Sequence, residues 1–220
     1  MRFWFRPAPP PRPKLRGVSH EVAFFASLAS GVALFLEAGA AVSRVAALLY
    51  AASLSAMYGV SALYHRVTWP PRALAVWRRL DHSMIFVLIA GTCTPFALLV
   101  LRNGWSVATL AVFWTGAVAG VVVSLIWIDA PRWVSALLYL ALGWAGTVML
   151  GPVARTLGGG SVALLVLGGV LYSLGAVVYA RKRPSPVPSV FGYHEVFHAF
   201  VIAASVCHWA AVRMAVALPR

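Results

Sequence analysis

The chain has 220 residues, 61% of them hydrophobic and 10% charged, with a mean hydropathy of +0.85. Soluble domains carry about 45–50% apolar and about 25% charged residues, so a water-soluble globule is excluded. The formal charge of +13 comes from 18 Lys+Arg against 5 Asp+Glu; with no polar domain to hold a nucleic acid, it reads as the loop charge that orients a membrane protein.

Residues 1–20 are rich in Arg and Pro, which predicts an extended basic arm on the cytoplasmic side. Residues 21–220 form the membrane domain. From Val22 the chain is a series of apolar runs broken at charges, prolines and glycines. Spans are predicted at about 22–40, 44–65, 80–101, 105–128, 132–151, 161–180 and 190–214, each near the ~20 residues a bilayer requires. The runs are continuously apolar and do not alternate, so they are helices and not barrel strands. The fold class is an all-α integral membrane bundle of seven transmembrane helices. Cys93 and Cys207 both lie within apolar runs and give neither a disulfide framework nor a thiolate metal site. The first span, with its basic flank and Ala38-Gly39-Ala40, also fits a signal peptide; its removal would leave every later loop on the same side.

With the N-terminus cytoplasmic, thirteen basic residues fall inside, in clusters from Arg2 to Arg183. Arg44, Arg102, Arg155, Arg213 and Arg220 fall outside, which places the C-terminus externally. Trp69, Trp77, Trp127 and Trp133 mark inner span ends, and the basic inner surface is expected to meet anionic lipid headgroups.

An ionisable residue in a membrane helix costs about 2.5–3.5 kcal/mol for Asp, Lys or Arg at the centre, so these residues carry the functional information. His65 ends the second span, with Ser61 one turn before it; Asp81 and His82 open the third; His194 and His198 open the seventh. Topology brings all of them to the inner edge. His194 and His198 are spaced i,i+4, so both imidazoles project from one helix face. His65 would complete three nitrogen ligands for zinc and leave a fourth position for water. Asp81 can bond that water or a ligand imidazole, and Ser61 can orient the water or a substrate oxygen. Asp81 also stands near Arg78 and Arg79, so an interfacial ion pair is an alternative. The string HEVFH fits the H-E-x-x-H pattern, but Glu195 lies about 100° round the helix from His194 and need not face a metal. His82 is expected to face elsewhere, and His20, Glu21 and His208 read as structural.

The blocks Ser61-Ala-Leu-Tyr-His65-Arg, Leu80-Asp-His-Ser-Met-Ile-Phe, Ala90-Gly-Thr-Cys-Thr-Pro-Phe and Phe191-Gly-Tyr-His-Glu-Val-Phe-His resemble the haemolysin III family, the bacterial branch related to the adiponectin and progestin receptors. The resemblance implies a zinc site near the cytoplasmic face, with His65, His194 and His198 as ligands and Asp81 and Ser61 around the bound water. It also implies a multi-pass protein of the bacterial inner membrane. In the first span Phe24 and Leu28 stand where the family's polar residues are sought, so that span is expected to lie outside the site.

Three functions fit these residues. One is a zinc-dependent hydrolase of lipid amides or esters, with Asp81 as proton acceptor and a membrane lipid as substrate. Another is a non-catalytic, zinc-braced membrane receptor or homeostasis regulator with lipid as ligand. The third is a haemolytic pore-forming protein. No residue pattern indicates an oligomeric state.

Overall fold

The computed structural model describes residues 13–219; these are all helical apart from loops and one isolated β-bridge between Val187 and Phe191. The helices are α1 (Val18–Glu37), α2 (Ala41–Arg66), α3 (Pro71–Leu99), α4 (Gly104–Ile126), α5 (Arg132–Trp144), α6 (Leu150–Leu157), α7 (Gly159–Arg181) and α8 (Tyr193–Val216). A 3-10 turn, Ala145–Met149, joins α5 to α6, and the three pieces make one crossing. Among the described residues seven segments are long and apolar enough to cross a membrane, as the sequence predicts. Arg2, Arg6, Arg12, Trp4 and Arg220 lie outside the described residues.

Each of the first four helices packs on the next, α7 packs on α8, and α8 returns to α1, α2 and α3. The third helix is thereby enclosed and is the most buried span. Lipid tails are as apolar as leucine, so close backbone approach and small residues hold such a bundle together. Gly91 of α3 illustrates this: a Cβ there would overlap the side chain of Ser53 on α2. Large apolar residues such as Leu36, Trp105 and Ile126 point outward, where a bilayer can solvate them.

Three crossings differ from the sequence expectation. Helix α1 starts at Val18, four residues early, because Gly17 with φ +81° turns the chain directly into it. Helix α3 starts at Pro71, not near residue 80, since a proline at the first helical position is already set at a helical φ. Its early charges are satisfied: Arg78 donates to Asp129 at 3.1 Å, and Arg79 donates to the carbonyls of Leu125 and Ala75. Asp81 therefore lies ten residues, about 15 Å, inside the helix. The fifth crossing extends to Leu157 and is interrupted by the 3-10 turn. Within the stretch expected to be an extended arm, the N–H groups of Lys14 and Leu15 donate to the carbonyls of Ser189 and Val190 at 3.0 and 3.1 Å, and residues 18–20 are already helical.

Candidate metal centre

At one end of the bundle α1 and α8 begin, α2 ends and α3 passes through. His65 is the penultimate residue of α2, and His194 and His198 occupy the first two turns of α8. One nitrogen from each of the three imidazoles lies within 4.8 Å of the others. The Nε2 atoms of His65 and His194 approach to 3.0 Å. Asp81 Oδ2 lies 3.9 Å from His65 Nε2. The interfacial pairing of Asp81 with arginine does not occur: Arg78 is taken by Asp129 and Arg79 by backbone carbonyls. Ser61, Asp81, His194 and His198 line one cavity of about 80 Å³. The five residues singled out in the sequence are thus brought together.

A sixth residue belongs with them. His20 is 2% exposed, and its Nδ1 shares a 2.8 Å hydrogen bond with Ser61 Oγ. Its ring stacks on His198, centroids 3.6 Å apart and planes 10° from parallel. The expectation that the first span lies outside the site is corrected: His20, read as structural, packs directly against it. The sequence places His20 at the inner start of the first span; with the helix beginning at Val18, its side chain reaches into the bundle. His82, expected to face elsewhere, also lines the cavity.

Glu195 does not face the histidines. Its Oε1 accepts from Arg16 Nε at 2.5 Å, and its Oε2 accepts the Gly192 N–H at 2.8 Å, closing the first turn of α8. The H-E-x-x-H reading with Glu195 as base therefore has no geometric support. Gly17 beside Arg16 leaves no room for a side chain, since a Cβ would come 2.6 Å from His65 Cβ. The segment from Lys14 to Gly17 thus closes over the histidine cluster.

The donor set suits a tetrahedral cation. Zn–N bonds of about 2.0–2.1 Å put ligand nitrogens roughly 3.3–3.4 Å apart, close to the 3.0 Å between His65 and His194 and inside the 4.8 Å that spans the group. Buried polar atoms are normally hydrogen-bonded. Here Nδ1 of His198 and Nε2 of His20 are buried without a hydrogen-bond partner.

The chain as a whole has counterparts elsewhere. The profile of the family described as Haemolysin-III related matches residues 10–209. The chain belongs to the haemolysin III family. Within it, the chain is similar to Hemolysin-3 of Bacillus cereus, at 33% identity over 194 residues, covering 86% of this chain and 84% of that one. It is also similar to the Hemolysin-3 homolog of Bacillus subtilis, at 31% over 191 residues, 86% of both chains. The human monocyte to macrophage differentiation factor matches at 25% over 175 residues, 77% of this chain and 69% of that one. This match joins the haemolysin III protein to the wider adiponectin and progestin receptor superfamily. Seven spanning helices and these relatives make it a multi-pass membrane protein.

Proposed function

We propose that this haemolysin III protein is a zinc-dependent hydrolase of lipid amide or ester bonds in a bacterial inner membrane, with His65, His194 and His198 holding the ion. The observation that carries the reading is the junction of that cluster and Asp81 with an apolar chamber inside the bundle. A second cavity, of about 160 Å³, adjoins the first; Ile85, Leu88, Tyr139 and Tyr172 line both. An acyl tail in the apolar chamber would set its carbonyl beside the histidines and Asp81, which is the division of labour expected of a lipid site.

Zinc held by three imidazoles supplies a Lewis acid and makes water nucleophilic near neutral pH. Asp81 accepts a proton from the attacking water and returns it to the leaving nitrogen or oxygen as the acyl C–N or C–O bond breaks. Ser61 bonds His20, and His20 supports the ring of His198, so these two residues fix a ligand's orientation. The thirteen-to-five basic asymmetry supports a cytoplasmic N-terminus, an external C-terminus and a site at the inner leaflet. A reporter fused after Arg220 should then be inactive in the cytoplasm.

A second reading is favoured by one observation: the histidine cluster joins α2 to α8, helices far apart in the chain, so an ion there would also brace the bundle of a receptor or regulator. The test is Asp81→Asn, assayed for zinc content and for turnover of lipid amides and esters. A hydrolase keeps its zinc and loses turnover by about 10²–10⁴-fold. Zinc-loaded wild-type protein without turnover, or turnover unaffected by the substitution, would overturn the assignment and leave the brace.

A further inference from the structure

The carboxylates among the described residues are committed. Glu21 pairs with Arg66, Glu37 with Arg213, Asp129 with Arg78 and Glu195 with Arg16, while Asp81 faces His65. Arg132, the first residue of α5, has no carboxylate partner among them. It is not an exposed charge like Arg181, Lys182 and Arg183; it is half-buried. Its Nη1 donates to Tyr193 Oη at 3.0 Å, and its Cζ lies 5.3 Å and 5.8 Å from the ring centroids of Tyr179 and Tyr193.

This cradle sits at the lip of the histidine cavity. Ala136, one turn further along α5, lines that cavity together with Tyr179. The ring of Tyr179 also lies 6.0 Å from that of His194. Two aromatic faces hold a guanidinium without neutralising it, and most of its N–H donors stay available in a planar fork. That fork matches a carboxylate or a phosphate.

We infer that Arg132 docks an anionic headgroup, so that the ligand of this cavity is an acidic single-chain amphiphile bearing a carboxylate or phosphate near its acyl amide or ester. The inference rests on the lipid-hydrolase reading and names its substrate class. The tail occupies the apolar chamber, the acyl carbonyl lies by the histidines, and the headgroup reaches the lip between α5 and α7.

The experiment is equilibrium binding to the purified full chain in detergent, in an Asp81→Asn background that suppresses turnover. The ligands are N-oleoylglycine, its neutral counterpart N-oleoylethanolamine, and tail-less N-acetylglycine. Charge-assisted hydrogen bonds predict that N-oleoylglycine binds about 10- to 100-fold more tightly than N-oleoylethanolamine. Arg132→Gln should abolish the preference, Arg132→Lys should keep part of it, and Arg181→Gln should leave it unchanged. Equal affinities in the Arg132 protein, or a preference that survives Arg132→Gln, would overturn the inference and leave the lipid reading standing. If neither oleoyl compound binds, the lipid reading falls and takes this inference with it. If N-acetylglycine binds as tightly as N-oleoylglycine, the site serves soluble anions and the amphiphile is wrong. Partial preference in a folded Arg132→Lys protein keeps the test decisive should Arg132→Gln fold poorly.

Discussion

Helix α8 carries histidines in both halves, and the two halves differ in what surrounds them. At its start His194 and His198 meet His65, His20 and Asp81, and buried ring nitrogens of His198 and His20 have no hydrogen-bond partner. Further along, His208 is the only histidine at its level among the described residues; its Nε2 meets the carbonyl of Leu165 at 3.2 Å, and its ring packs against Tyr172. One imidazole bonded to a carbonyl is a packing residue that has met its polar requirement. Several imidazoles converging beside a carboxylate, with two buried ring nitrogens unpaired, are a group that could hold a cation. The residue type is the same in both places, and convergence is what separates them.

The comparison breaks most directly at the metal. His194→Ala or His198→Ala should abolish zinc binding, and His65→Ala should remove most of it, because two remaining imidazoles are too few for a tight tetrahedral site. His208→Ala should leave zinc content unchanged. Metal analysis of the four purified variants checks this, and wild-type stoichiometry in His65→Ala would mean that α2 supplies no ligand.

Next in size is the ion pair that anchors the start of α8. Glu195 is 2% exposed and Arg16 19% exposed at the side chain, so Arg16→Gln strands a buried carboxylate with only the Gly192 N–H for support. Losing one partner of a buried pair costs about 3–5 kcal/mol. The midpoint of thermal unfolding in detergent should fall clearly. Adding Glu195→Gln should recover much of the loss, because no unpaired charge then remains. Failure of the double variant to recover would show that Arg16 acts through something other than Glu195.

His20→Ala sharpens the comparison from the supporting shell. Residues that orient a ligand imidazole are worth about 10- to 100-fold in metal affinity or activity. The variant should therefore still bind zinc, but more weakly by about that factor, in a competition titration against a chelator. An unchanged affinity would reduce the stacked ring to packing.

How much of this was legible in the sequence depends on the range of the interactions involved. Seven crossings can be read because a run of twenty apolar residues is a local property, and the all-α class follows from it. The convergence of His65, Asp81, His194 and His198 can be read because an odd or even number of crossings fixes which ends share a face. The packing of His20 against the cluster was not legible, because its partners Ser61 and His198 lie on two other helices, far away in the chain. The Arg16–Glu195 pair spans 179 positions, and no local pattern announces it. Arg132 reads as one more topogenic charge until Tyr179 and Tyr193, on two other elements, are seen to grip it. The chamber likewise takes Gly146, Thr147 and Met149 of its lining from the 3-10 turn in the fifth crossing, which continuous hydropathy conceals.

The smallest effect is expected at the other end of the bundle, where Arg213 donates to Glu37 at 2.8 Å. The bond is as short as many at the histidine end and joins α1 to α8, as the Arg16–Glu195 pair joins the turn before α1 to α8. Its side chains, however, are 53% and 36% exposed, against 19% and 2% for Arg16 and Glu195. Exposed pairs gain little, because solvent or lipid headgroups replace the lost partner and the freed side chains regain rotamer entropy. Arg213→Gln should consequently leave both the unfolding midpoint and the zinc content at wild-type values under the conditions that expose the Arg16→Gln defect. A comparable drop in midpoint for Arg213→Gln would mean that tying the first crossing to α8 matters at either end, and that burial of Glu195 is not what makes the Arg16–Glu195 pair different.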